Sequence, residues 1–263
     1  MDLGLKDKTV IVTAASKGLG KATALEFAAE GAKVIISSRH ATELEKAKAD
    51  IISKTNNSNV QAVVCDMTKA EDIKKLVQQT IDLHGTVDVL INNTGGPPAG
   101  RFDQFSDQDW YVAFELNLLS FIRTIREVLP FMRKQQFGRI VNFASSAVKQ
   151  TLDDLILSNT LRAGIVGLAK SLSQELGKDN ILINTLGPGR IATERVAQLD
   201  EGRARKLNIS PEEVRMRMEQ SIPLGRYGEP AEFARVAVFL GSCANTYVTG
   251  QTFVVDGGMV KAY

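Results

Sequence analysis

This 263-residue sequence predicts a doubly wound α/β fold, a parallel sheet covered by helices on both faces. Three observations carry that reading. Short β-branched apolar runs alternate with longer helical stretches along the chain, as buried strands joined by crossover helices must. No Pro/Gly/Ser-rich linker interrupts the alternation and no segment repeats, so one domain is expected over residues 1–263. A glycine-containing turn directly follows the first strand and opens the first helix.

Residues 9–13 (Thr-Val-Ile-Val-Thr) read as a buried strand, and Ala24, Phe27 and Ala28 mark a helix ending at Gly31. A strand at 34–36, a helix near 41–54, a strand at 60–65 and a helix near 69–84 follow. Residues 87–91 form the fourth strand, 107–135 a long helical stretch and 139–143 the fifth strand. Leu161, Ile165, Leu168, Leu172 and Leu176 recur at steps of four and three, one face of a helix over about 155–176. Strands at 181–184 and 252–255 and a helix near 230–240 complete the pattern, seven strands in all. Residues 191–223 break the rhythm with no strand, many charges and two methionines. At the carboxyl edge of a parallel sheet such an insertion suits a substrate lid; a solvated helical excursion is the plainer alternative.

Composition narrows the function classes. Hydrophobic residues at 44% and charged residues at 24% are ordinary for a globular domain and exclude a disordered or collagen-like chain. No apolar run approaches the ~18 residues of a membrane span. The start, Met1 to Lys8, lacks the basic region and apolar core of a signal peptide, so a cytoplasmic protein with no membrane partner is expected. Net charge is +2, from 32 basic and 30 acidic residues with no long block of either sign, which argues against nucleic acid. Cys65 and Cys243 lie far apart without metal-ligand spacing; two buried, reduced thiols and no metal are expected.

The turn after the first strand is Thr13-Ala14-Ala15-Ser16-Lys17-Gly18-Leu19-Gly20. Glycines here let backbone amides approach a pyrophosphate, which the following helix's positive end stabilises. It resembles the TGxxxGxG turn of the short-chain dehydrogenase/reductase family, with Ala14 where the first glycine usually stands, a place a Cβ tolerates if φ stays negative. The resemblance extends along nearly the whole chain. Asp66 follows the third strand, Asn92-Asn93-Thr94-Gly95 is similar to the NNAG turn, and Asn117 matches the Asn of the fourth helix. Residues 140–145 (Ile-Val-Asn-Phe-Ala-Ser) match the strand ending in the catalytic Ser, Pro188-Gly189 with Thr193 the PG segment, and Val248 to Gln251 with Asp256 to Gly258 the C-terminal end. The resemblance implies a Rossmann fold and a dinucleotide held by Thr13, Ser16, Lys17, Gly18, Leu19, Gly20, Asp66, Met67, Asn93, Gly95, Pro188, Gly189, Ile191 and Thr193.

The cofactor type is read at the end of the second strand. Family members that use NAD usually place an acid there to bond the ribose 2′-hydroxyl. Ser37-Ser38-Arg39-His40 contains none, and Lys17, Ser38 and Arg39 can meet a 2′-phosphate instead, which implies NADP(H).

The resemblance breaks at the family's Tyr-xxx-Lys pair, about thirteen residues past the Ser. Counting from Ser145 gives Ser158 and Arg162, followed by Ala163-Gly164 as after the family's Lys. The tyrosines are Tyr111, Tyr227, Tyr247 and Tyr263, and none has Lys four residues on. In the family, Tyr donates a proton to the substrate oxygen, Lys holds the nicotinamide ribose and lowers the Tyr pKa, Ser polarises the carbonyl and Asn orders a water relay. An aliphatic hydroxyl is a far weaker acid than a phenol. Arg162 could still hold the ribose, through its donor fork, on the helix face it shares with Ser158. Lys149 is another potential donor if buried; a solvated loop lysine is its plainer reading. Asp153 and Asp154 read as helix N-caps. His40 and His84 fall outside the expected site.

The sequence thus predicts an NADP(H)-dependent oxidoreductase acting on a carbonyl or alcohol, similar to 3-oxoacyl-carrier-protein reductases, with Ser145, Asn117, Ser158, Arg162 and Lys149 as its atypical catalytic set. The alternatives are a non-catalytic dinucleotide-binding sensor or assembly partner, and another reaction on the same scaffold such as dehydration or epimerisation. Arg101, Arg190, Arg195, Arg203 and Arg205 flank the expected cleft and would suit an anionic substrate, or equally serve as solvated charge. The family pairs through stretches matching 107–135, 155–176 and 230–255, which implies a homotetramer or a homodimer. Phe233, Val236, Val238, Phe239, Phe253, Val254 and Val255 make the last stretch apolar beyond what one small helix and an edge strand need.

Overall fold

The computed structural model describes residues 1–262. Among these, one seven-stranded parallel sheet is flanked by nine α-helices. The strands are β1 (Thr9–Val12), β2 (Lys33–Ser38), β3 (Val60–Val64), β4 (Val89–Asn92), β5 (Gly138–Phe143), β6 (Ile181–Pro188) and β7 (Thr252–Val255). They lie in the order β3-β2-β1-β4-β5-β6-β7, so the winding reverses between β1 and β4. Ligands of open α/β sheets bind at such a switch point, beyond the carboxyl ends of the strands.

Alternation along each strand decides which face a residue serves. Val10, Val12, Val34, Ile36, Val89, Ile91, Val141 and Phe143 enter one core with α1 (Gly18–Ala29), α2 (Ala41–Thr55) and α9 (Pro230–Leu240). Ile11, Ile35, Leu90, Ile140 and Ile183 enter the other, with α3 (Ala70–His84), α5 (Ser120–Gln135) and α6 (Ile156–Leu176). Phe143 meets Phe233 of α9 edge to face, with ring centroids 4.8 Å apart, fixing that helix beneath the end of β5. Phe233 and Val238 are thus consumed within the chain, whereas Phe253 on edge strand β7 is exposed. Among the described residues no helix is long and apolar enough to cross a membrane.

The stretch 107–135 is not one continuous α-helix. It is α4 (Asp107–Phe114), a π turn over Glu115–Leu119, and then α5. The apolar spacing cannot show this; the π turn carries Asn117, whose polar contacts are described below. The insertion holds two helices, α7 (Glu194–Leu207) and α8 (Pro211–Gln220). Asp200, buried on α7, accepts from Arg190 Nη1 at 2.6 Å and from Tyr227 Oη at 2.8 Å, which moors α7 to the chain on both sides of it. Cys65 is buried as expected, but Cys243 is only partly so, because it lies in the loop after α9; both are free thiols.

Candidate active site

The cofactor side is built where β1 and β4 diverge. Thr13 Oγ1 donates to Asn93 O at 2.7 Å and accepts from Asn93 N at 2.8 Å, tying the two strand ends together. Ala14 adopts φ +48°, not the negative φ the sequence suggested. Its carbonyl is turned onto the start of α1, where a Cβ on Gly20 would lie 2.5 Å from it, and it accepts from Asn93 Nδ2 at 3.3 Å. The left-handed turn is therefore kept despite the Cβ. Lys17, extended at the α1 N-cap, makes no side-chain cap, so the first amides of α1 face outward as a phosphate cradle needs. The Gly18 Cα has a Cβ-sized space bounded by Thr193, which caps α7 by accepting from Val196 N at 3.4 Å. Leu19 and Ile191 put their side chains into or against the core, so either would meet a ligand through its backbone.

At the far end of β2, Ser38 Oγ is buried without a partner beside exposed Arg39. Asp66 Oδ1 accepts from Thr68 N and Oγ1 at 3.0 and 2.9 Å. Burial pushes the Asp66 carboxyl up, but the Thr68 bonds and the nearby Arg39 charge prevail and hold it below its ordinary value. Met67 is buried behind it. Exposed Lys17 reaches across the turn to Glu194 at 2.6 Å, and that bond and charge raise its pKa. An orphaned hydroxyl, a free cation and an outward helix end fit the 2′-phosphate and pyrophosphate of NADP(H).

The reaction side lies between β4 and β5. Ser145 Oγ accepts from Ala147 N at 3.1 Å, so its own proton remains free for a substrate oxygen. A Cβ on Gly187 of β6 would come within 2.6 Å of Ser145 O, so glycine there lets the Ser145 peptide lie against the strand. From within the π turn Asn117 Nδ2 donates to Gly95 O at 3.0 Å and Thr94 Oγ1 at 3.3 Å, tying that turn to the loop after β4. Its Oδ1 is buried and unpaired. One turn apart on α6, Ser158 and Arg162 are both buried, and Arg162 Nη1 donates to Phe143 O at 2.7 Å. Burial, with the charge of Arg195 second, lowers the Arg162 guanidinium to about 10; it stays cationic at neutral pH.

A dinucleotide turn at the switch point, with a serine, a buried cation and a helix asparagine converging beside it, is the layout of one family. The sequence profile described as Enoyl-(Acyl carrier protein) reductase matches residues 13–260. The chain belongs to the short-chain dehydrogenase/reductase family. It is 31% identical to the NADPH-dependent reductase BacG of Bacillus subtilis over 98% of this chain and 100% of that protein. It is 34% identical to the 3-oxoacyl-[acyl-carrier-protein] reductase FabG of Thermotoga maritima, over 97% of this chain and 99% of that one. Among solved structures, L-sorbose reductase from Gluconobacter frateurii, complexed with NADPH and L-sorbose, superposes with TM-score 0.94 at 29% identity over the full length of both chains.

Other expected residues of this short-chain dehydrogenase/reductase stand as follows. Pro188 ends β6, and a Cβ on Gly189 would strike Asp256 at 2.4 Å, which makes glycine necessary where the C-terminal segment crosses. Lys149 is exposed on the turn leaving β5, not buried as a donor lysine needs to be. Asp154 is no helix cap: at φ +58° it is exposed to Arg101 Nε at 2.8 Å and Lys206 Nζ at 3.0 Å, and α6 begins after Leu155 without a side-chain cap. His40 precedes α2 without capping it, and His84 ends α3. Tyr111 and Tyr247 are exposed, Tyr227 is bonded to Asp200, and Tyr263 lies outside the described residues. Sequence reasoning missed Gly187, although a glycine inside a strand is itself a signal of close backbone approach. The Phe143 carbonyl that holds Arg162 left no signal, because every residue has one.

Proposed function

We propose that this chain is an NADPH-dependent reductase of a carbonyl substrate in which Ser158 and Arg162 stand where the family has Tyr and Lys. The observation that carries the reading is the placement of Arg162, buried on α6 and bonded to the strand end that presents Ser145. The NADPH-dependent relatives and NADPH-bound neighbours support the cofactor. When bound, NADPH supplies a hydride. The residues around it do the rest: Ser145 donates its free proton as a hydrogen bond to the substrate oxygen, and the Arg162 cation favours negative charge developing there. Asn117, with its unpaired Oδ1, holds a water that gives a proton to the substrate alkoxide left by hydride addition and regains one from solvent, since Ser158 is too weak an acid to act as a phenol would. Helices α7 and α8 close over the substrate as a lid, and the chain assembles as a homotetramer or homodimer in the cytoplasm. The exposed apolar side chains of Tyr111, Val112 and Phe114 on α4 support the assembly.

The test follows NADPH absorbance with a panel of ketones and diketones. The expected result is slow reduction of simple ketones and faster reduction of activated diketones, both lost in Ser145→Ala. Positioned general acid catalysis contributes ~10²–10⁴-fold, which is the rate this site forgoes. Turnover unaffected by Ser145→Ala and by Lys149→Ala would place the chemistry elsewhere. A monomer by light scattering would overturn the assembly.

A further inference from the structure

The five arginines around the cleft separate sharply once their partners are known. Arg101 pairs with Asp154 and Arg190 with Asp200. Arg203 and Arg205 are exposed on α7, with Arg203 Nη1 3.5 Å from Met218 Sδ of α8. Arg195 is different. It is exposed along α7, but its Nη2 donates to Pro97 O at 2.7 Å in a partly buried contact, and no carboxylate lies within ion-pair distance among the described residues. Its Nε and Nη2 lie 3.4 Å from where a Cβ on Gly96 would stand, so the guanidinium spans from α7 onto the loop after β4. Among the described residues buried Arg162 likewise has no carboxylate partner, and its side chain bonds to Phe143 O.

Buried Arg162 and the Pro97-bound end of Arg195 carry two cations without a counter-charge among the described residues. Burial lowers the Arg195 pKa, and the Arg195 charge acts with burial on Arg162, so the two guanidiniums oppose each other. Such an arrangement costs stability until an anion joins it. The cofactor's phosphates have their own receptors, the open end of α1 and the Lys17, Ser38 and Arg39 group. The donors Arg195 keeps beyond the one given to Pro97 O suit a carboxylate, the anion a guanidinium fork matches best.

We propose that Arg195, with Arg162 behind it, is a specificity site for a carboxylate on the substrate, so that the natural substrate is an oxo acid and not a neutral ketone. This rests on the reading of the cleft as a carbonyl-reducing site.

The test is calorimetric binding to the protein saturated with NADP+, using pyruvate, 2-oxobutanoate, levulinate and benzoylformate, each against its methyl ester. At least one acid is expected to bind roughly tenfold to a hundredfold more tightly than its ester, the worth of a charge-assisted hydrogen bond. Arg195→Met should erase that preference while leaving NADPH affinity and melting temperature unchanged, and Arg195→Lys should restore part of it. Arg205→Met, an exposed change on the same helix, should do nothing. Failure of every acid to bind at tens of millimolar, equal binding of acids and esters, or a preference that survives Arg195→Met overturns the proposal. Esters reduced as fast as acids would sink the carboxylate site and leave the reductase standing. Acids bound through Arg195 without any NADPH oxidation would do the reverse.

Discussion

Arg162 Nη1 donates to the carbonyl of Phe143 at 2.7 Å, two residues ahead of Ser145. One buried cation is thus tied to the strand end that presents the Ser145 hydroxyl, coupling the serine, the guanidinium and the helix turn carrying Ser158. Removing the guanidinium leaves a buried carbonyl unpaired, at a cost of about 1–3 kcal/mol. Arg162→Ala should therefore lower both melting temperature and NADPH affinity, measured by thermal unfolding and calorimetry. The double change Ser158→Tyr with Arg162→Lys reintroduces a phenol and an ammonium one turn apart. Simple-ketone reduction should rise by tenfold or more, within the ~10²–10⁴-fold that a positioned acid contributes. No gain in a variant that still binds NADPH would show that the helix face does not aim the ring at the substrate.

Arg39 stands exposed beside the unpaired hydroxyl of Ser38, close enough to Asp66 to hold that carboxylate charged. Arg39→Ala should weaken NADPH about tenfold to a hundredfold, as loss of a charge-assisted bond to phosphate predicts. NADH affinity should change little. Equal losses for both cofactors, measured by fluorescence titration, would separate Arg39 from the 2′-phosphate.

Ala14 is held left-handed, a conformation that costs a residue with a Cβ about 1–2 kcal/mol. Glycine relieves that strain and adds roughly 0.4–1 kcal/mol of unfolded-state entropy. Ala14→Gly should thus stabilise the protein by up to about 1.6 kcal/mol, seen as a melting temperature up to roughly 3–6 °C higher. A lower melting temperature would mean that the Ala14 methyl packs usefully.

The two thiols should differ in their reactivity, because Cys65 is buried and Cys243 only partly so. Burial, then the charges of Asp72 and Asp66, pushes the Cys65 thiol up to about 12. Its neutral form therefore dominates at pH 8, and thiolate, the reactive species, appears only as pH rises toward that value. A thiol-specific chromogenic reagent at pH 8 should titrate Cys243 alone in the native protein and both cysteines after unfolding. Two fast native thiols would contradict this.

Much of this was legible in the sequence because the signals were physical and local. Period-two apolar runs give strands, and residues 181–188 only extend the strand predicted at 181–184. The glycine turn and the acid-free end of β2 mark their own places. What stayed hidden depends on partners distant along the chain. Asp154 resembles a cap until Arg101 and Lys206 claim it. Arg195 resembles any surface arginine until Arg101 and Arg190 prove paired and it does not. The left-handed Ala14 depends on Asn93 and Gly20 together, one of them beyond the next two strands.

The π turn at Glu115–Leu119 works as a phase shifter. One added residue advances everything after it by about a third of a revolution, since a regular helix turns about once in 3.6 residues. Ala113 before it packs with Leu157 and Leu161, while Ile125, Val128 and Met132 after it meet the sheet. The two halves are therefore clocked independently, and Asn117 sits on the escapement between them. Deleting one residue there would resynchronise the rod, leaving either its anchoring to the sheet or its grip on the Thr94–Gly95 loop out of step.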